Sequence, residues 1–213
     1  MSLRTPLLAA AAAVVLAGCG SIGGPKVAIK VYSPPTQVLA DPAWPQVDWT
    51  LAVGSSAAIE ALDSPRIAVR PTPNELQTYK GAAWADTAPE MLRGAIVEGF
   101  EESGRVGSVV RIGGGSGSER ADIGLYLDVR AFEGDYASGA PEAVVEVQAR
   151  LVDRRGEGVA TRRFRHAVPG ATPAVPSMVD AFGTAMSALA TEVVGWTLVE
   201  GERLREGSRG AGD

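Results

Sequence analysis

The most specific chemistry in the chain is carried by four residues near its start, Leu16, Ala17, Gly18 and Cys19. A thiol directly after Leu-Ala-Gly is the pattern of a bacterial lipobox, the cleavage and lipidation site of a secreted lipoprotein. Upstream stand Arg4 and an apolar run over residues 7–15, so residues 1–18 read as a signal peptide. That run is too short to span a bilayer, which needs about 20 apolar residues. Cys19 is the only cysteine, so no disulfide can form within the chain, and Cys19 is the expected lipidation site. Lipobox cysteines carry a diacylglyceryl group on sulfur, usually with a further acyl chain on the new amino terminus. Two or more chains anchor a protein stably where one does not. Gly20 follows, where Asp would signal retention at the inner membrane in Gram-negative sorting. The expectation is an outer-membrane anchor with the folded part in the periplasm.

Other catalytic chemistry is hard to build from these residues. His166 is the only histidine and falls in a predicted strand, and there is no Gly-x-Ser-x-Gly elbow. A Ser-His-Asp triad would have to use His166, and a half-exposed strand residue is the simpler reading. One lipidated Cys and one His cannot make a typical metal site. The carboxylates are spread over solvent faces rather than paired. The run Gly113-Gly114-Gly115-Ser116-Gly117-Ser118 lacks the Gly-Lys-Ser/Thr ending of a phosphate loop, and the third glycine of a dinucleotide fingerprint would fall on Ser118. It reads as a loop. No catalytic residue, metal or cofactor is expected. Cleavage leaves 195 residues with a formal charge of −6, since Arg4 goes with the leader. An acidic chain of this kind is a poor nucleic-acid binder.

The elements that would surround the anchor follow from periodicity. Residues 19–46 hold seven glycine and proline breaks after Gly20 and read as a lipidated tether, with an edge strand over 27–32 as the alternative. Strands are predicted at 49–53, 67–70 and 75–79, with a short helical turn near 57–62. A helix over 84–103 carries Ala88, Met91, Leu92, Ala95, Ile96, Gly99 and Phe100 on one stripe, and Gly104 stops it. A strand at 106–112 comes next. Three long alternating strands follow, near 123–130, 145–151 and 159–168, with a turn at Asp153-Arg154-Arg155-Gly156. The last helix, 177–198, places Val179, Phe182, Met186, Leu189, Val193 and Trp196 on its stripe. Residues 201–213 are Gly-rich and charged and read as a flexible tail. The fold class is therefore α+β: a two-layer sandwich in which two amphipathic helices pack on one face of a mainly antiparallel sheet, over residues 47–200.

Longer ordered stretches carry a family resemblance. They are Leu62-Asp63-Ser64-Pro65-Arg66-Ile67-Ala68-Val69-Arg70, then Asn74-Glu75-Leu76-Gln77-Thr78-Tyr79-Lys80-Gly81-Ala82-Ala83-Trp84-Ala85-Asp86, then residues 97–105 and 192–198. With Pro34-Pro35-Thr36 after the lipobox, this succession resembles the ABC-type transport auxiliary lipoprotein family, which includes the lipoprotein of the paraquat-inducible Pqi system. Thr78 departs from it, standing where the family often has a second Tyr beside Tyr79.

The resemblance implies a non-enzymatic subunit of a transport system with a permease, an ATPase and a mammalian-cell-entry (MCE) protein crossing the periplasm. Such systems are thought to move phospholipids or other hydrophobic molecules. The lipoprotein would dock on the MCE protein at the outer membrane, and Pqi-type members form a homo-oligomeric ring. Tyr79 and Trp84 would contact a partner or, more simply, pack between strand and helix start. Trp49 and Trp196 read as core. Alternatives are a carrier holding an acyl chain between helices and sheet, an envelope or outer-membrane assembly lipoprotein unrelated to transport, and a hydrolase dependent on His166.

Overall fold

The computed structural model describes residues 28–55, 61–112, 121–137, 139–156 and 159–210. The expected signal peptide, Cys19, most of the turn expected near 57–62 and the glycine run at 113–118 lie outside them.

Among the described residues, eight strands and two helices form the fold. In chain order they are β1 (Lys30–Tyr32), β2 (Thr50–Ser55), β3 (Arg66–Thr72), β4 (Glu75–Trp84), α1 (Ala88–Ser103), β5 (Ser108–Ile112), β6 (Ile123–Asp135), β7 (Glu142–Asp153), β8 (Val159–Pro169) and α2 (Val175–Gly210). The sheet runs β1-β4-β3-β6-β2-β5, with β7 along the other edge of β6 and β8 outside β7.

The expectation of a mainly antiparallel sheet is corrected here. β6, β7 and β8 do form an antiparallel meander, and β3 pairs antiparallel with β4. The remaining pairs, β1–β4, β2–β5, β2–β6 and β3–β6, are parallel, so the sheet is mixed. Alternation in sequence reports which face of a strand is wet, not its direction. Direction comes from the connections. α1 provides the crossover that brings β5 into the sheet, where it lies parallel to β2, and parallel pairing requires such a crossover. β2 and β3 share one edge of β6, β2 beside Ile123–Leu127 and β3 beside Glu133–Asp135.

The alternation identifies the dry face. Leu51 and Val53 lie opposite Ile123 and Leu125, and Leu125 lies opposite Leu151. All belong to one core with Leu92, Ile96 and Phe100 of α1 and Phe182, Leu189 and Val193 of α2. Both helices thus close on the same face. A bulge between Val129 and Ala131 resets the phase of β6, so Phe132 points inward and Glu133 outward.

β4 runs through Trp84, and α1 starts only at Ala88, four residues later than expected, with Pro89 in its first turn. Gly104 ends α1 in the left-handed conformation with φ 60°. α2 is long and apolar enough over Val175–Gly207 to cross a membrane by composition, but its apolar stripe is buried in this core.

Two boundaries move. The tether does not stay clear of the domain from residue 30 onward. β1 pairs with β4, and the next fourteen residues run as a strap across both helices. The Gln37 N–H donates to Ser187 Oγ at 3.0 Å and the Leu39 N–H to Thr191 Oγ1 at 3.2 Å. Val38 sits on Gly99 and Trp44 on Gly195, where only the missing side chain gives room. Prolines had argued against helix and central strand, and the strap is neither: two of its N–H groups go to side-chain hydroxyls of α2, and those of Ala43 and Trp44 go to Asp41. The tail likewise continues α2 to Gly210 instead of beginning at 201. Trp49 Nε1 donates to Glu202 Oε2 at 2.9 Å, and Leu204 packs against the core.

Candidate docking surface

Trp84, expected at a partner contact or in the core, is only 2% exposed. It stands edge-on to Phe132 and Phe182, with ring centroids at 5.6 and 5.1 Å, while those two phenylalanines stack at 5.0 Å. β4, β6 and α2 meet in this cluster, so Trp84 is a packing residue. Tyr79 is half-buried on β4. Its hydroxyl lies 2.5 Å from that of Tyr136, which also donates to the Pro173 carbonyl at 3.2 Å. Burial first, and the Tyr136 hydrogen bond second, hold the Tyr79 phenol well above its usual pKa. The pair ties β4 to the turns after β6 and before α2. Trp49 is buried, and Trp196 meets Phe164 edge-on at 5.5 Å. Trp49 is a core residue, as read from the sequence, whereas Trp196, expected in the core, is only partly buried and packs against its edge.

His166 lies with Nε2 3.2 Å from Glu192 Oε1, without hydrogen-bond alignment. Among the described residues, no serine hydroxyl bonds to it. No group of three His, Cys, Asp or Glu residues gathers as a metal site among them either.

Between helices and sheet the described apolar side chains are closely buried. Leu51, Leu92, Ile96, Phe100, Ile123, Leu125 and Phe182 are wholly inaccessible. Open concavities lie outside this core. One, of about 720 Å³, runs between the strap and α2, lined by Pro35, Gln37, Leu39, Gly183, Ala188 and Thr191.

Away from the helices the sheet is polar and rich in arginine. Arg163 and Arg165 both pair with Glu146, Arg165 at 3.4 Å. Arg130 pairs with Asp128 at 2.6 Å, and the Arg150 guanidinium lies 5.1 Å over the Tyr126 ring. Arg70 of β3 pairs with Glu133 of β6. Sequence reading missed this ion pair because it ended β6 at residue 130. The available signal was the break in phase from Val129 to Phe132, which marks the bulge.

The described residues thus combine an open polar sheet face, a buried core and a strap bonded to both helices. Comparison with known proteins decides the family. The family described as ABC-type transport auxiliary lipoprotein component matches residues 32–194, from the strap to the middle of α2.

The chain belongs to this family.

The auxiliary lipoprotein is 42% identical to protein XCC0632 of Xanthomonas campestris, whose crystal structure superposes with a TM-score of 0.78 over 83% of this chain and 99% of that one. A second solved structure, of an uncharacterized protein, shares the fold at a TM-score of 0.60 and 16% identity, covering 78% of this chain and 97% of that one. An uncharacterized protein of Bradyrhizobium diazoefficiens is 26% identical over 187 residues, or 87% of this chain. The auxiliary lipoprotein spans about half the length of that curated relative, 50%. Membership groups it with proteins described as lipoprotein components of ABC-type transport systems.

Proposed function

We propose that this protein is the outer-membrane-anchored, non-enzymatic docking subunit of an MCE-type ABC system that moves phospholipids or other hydrophobic molecules across the periplasm. The observation that carries the reading is the family match over residues 32–194. The lipobox at Cys19 and Gly20 supports the anchor and its membrane. The strap supports a mechanical role. Ten residues lie between Cys19 and Lys30, eleven Cα steps with a reach of about 35–40 Å at full extension. Beyond Lys30 the chain is bonded to the domain, so a load on the anchor passes directly into β4 and α2. In this reading the protein works as a ring of identical copies around the MCE protein. The buried side chains between helices and sheet favour docking over a carrier holding an acyl chain there.

The test is affinity purification of the full-length lipoprotein from membranes of cells expressing an MCE protein of the same organism, with palmitate labelling of wild type and Cys19→Ala. The expected result is co-purification, labelling of wild type alone, and recovery of label in the outer-membrane fraction. A labelled, membrane-bound protein that never retains the MCE protein would overturn the transport reading. An unlabelled wild type would overturn the anchor.

A further inference from the structure

We infer that the free edge of β8 is a strand-addition site for an extended, acidic segment of a partner protein. The inference rests on the docking role proposed above and names its surface.

Among the described residues β8 pairs only with β7, so the backbone donors and acceptors along its outer side are unused by the described sheet over eleven residues. The strands ending the other side, β1 and β5, are three and five residues long. A long open edge invites another strand, and proteins that need only stability shorten or cover it.

The charges on β8 say which strand fits. Arg162, Arg163 and Arg165 are all exposed. Glu146 is the carboxylate on the neighbouring strand that pairs with Arg163 and Arg165, and the Arg162 guanidinium lies 4.8 Å over the Phe164 ring instead. The local balance is about +2 on a chain whose total is −5. A second copy is a poor occupant. Two β8 strands paired antiparallel about Phe164 would set Arg163 opposite Arg165 and Arg162 opposite His166, and like charges in register destabilise a pair. An acidic strand reverses that sign at the same positions.

The surface beside the edge supplies the apolar half of the match. On the helix side of β8, a shallow groove of about 500 Å³ is lined by Leu39, Trp44, Trp196, Val199 and Arg162. Its acidic members are Asp41, which accepts the Ala43 N–H, Glu192, which lies beside His166, and Glu200, which pairs with Arg203 at 2.6 Å. A strand laid along β8 would turn alternate side chains toward this groove and the others toward Arg163 and Arg165. The occupant is therefore a segment alternating apolar with acidic residues.

The probes are two nine-residue peptides, alternating Val-Glu and alternating Val-Lys, titrated by fluorescence anisotropy against the full-length lipoprotein in detergent micelles. The Val-Glu peptide is expected to bind at least tenfold more tightly than Val-Lys, to weaken with rising salt, and to slow hydrogen exchange across Val159–Pro169. Arg163→Glu with Arg165→Glu should invert the preference. Should that variant lose its circular dichroism spectrum, Arg165→Gln alone should weaken Val-Glu binding about threefold. Equal binding of both peptides, binding of neither, protection at β1 or β5 instead, or concentration-dependent protection of β8 without peptide would each overturn the assignment. Peptide binding is read on the isolated lipoprotein, so its failure removes this surface while leaving the co-purification result standing.

Discussion

Arg70 on β3 grips Glu133 on β6 through two charge-assisted hydrogen bonds, Nε to Oε1 at 2.5 Å and Nη2 to Oε2 at 3.0 Å. The pair sits where β3 takes over from β2 along the edge of β6. Glu133 is 8% exposed, so Arg70→Met would leave a nearly buried carboxylate unpaired. Breaking a buried pair costs about 3–5 kcal/mol, and partial screening at the more open Arg70 lowers the expectation to about 2–3 kcal/mol. Adding Glu133→Leu should recover most of it. Urea denaturation of the two variants measures both steps. A single-variant loss below about 1 kcal/mol would show that the pair is no more than a surface contact.

The Tyr79–Tyr136 contact predicts an alkaline weakness. The Tyr79 phenol titrates near pH 10 when unfolded and higher when folded. Below pH ~10 both states hold the proton and the full contribution is present. Above it the unfolded chain releases a proton that the native state keeps, so stability falls as pH rises toward the folded pKa. Tyr79→Phe should cost about 0.5–1.5 kcal/mol at neutral pH, the worth of one hydrogen bond. It should also flatten the decline above pH 10. Unfolding midpoints from pH 8 to 11 decide the matter, and identical slopes in both proteins would reject it.

Much of the fold was legible because burial writes a period into sequence. Ile123, Leu125, Leu127 and Val129 mark the dry face of β6 by alternation, and Leu92, Ile96 and Phe100 mark that of α1 by helical spacing. Strand direction was not legible, since parallel β2 and antiparallel β7 alternate alike. The strap was hidden for a different reason. Its register is set by Ser187, Thr191, Gly99 and Gly195 on the helices, residues about 60 to 150 positions away that show no pattern of their own. The continuation of α2 was masked by its charge: Glu202 and Arg205 look solvent-bound until Trp49 and Asp48 are placed beside them. The tyrosine and tryptophan of the Asn-x-Leu-x-x-Tyr and Trp-Ala-Asp motifs proved structural, while the arginines of β8 were visible only as the wet half of an alternating strand.

The strap should depend on the absence of a side chain at Gly99. An added Cβ would lie 2.9 Å from Val38 Cβ and closer still to one of its methyl groups. Gly99→Ala gains helix propensity, yet overpacking of this kind costs about 1–3 kcal/mol, so the net expectation is destabilisation. Proteolysis should then begin within residues 33–46, and Val38→Gly in the same chain should slow it again. Unchanged cleavage kinetics in Gly99→Ala would mean that the strap does not rest on α1.

Removing the end of α2 separates a structural extension from a frayed tail. A chain stopped after Glu200 loses the Glu202 acceptor of Trp49, the apolar contact of Leu204, and Arg205, whose Nη1 lies 3.4 Å from Asp48 Oδ1. Trp49 is 1% exposed and begins the segment that carries β2 into the sheet, so its indole N–H would face new solvent. One hydrogen bond to a charged group contributes about 1.5–3 kcal/mol, and the Leu204 contact adds to it. The truncated protein should therefore unfold at least 2 kcal/mol more easily, with a red shift in tryptophan emission before global unfolding. Trp49→Phe in the intact chain should abolish that red shift on truncation while leaving the Leu204 part of the loss. A truncated protein as stable as the full chain, with unshifted emission, would return residues 201–210 to the status of a loose end.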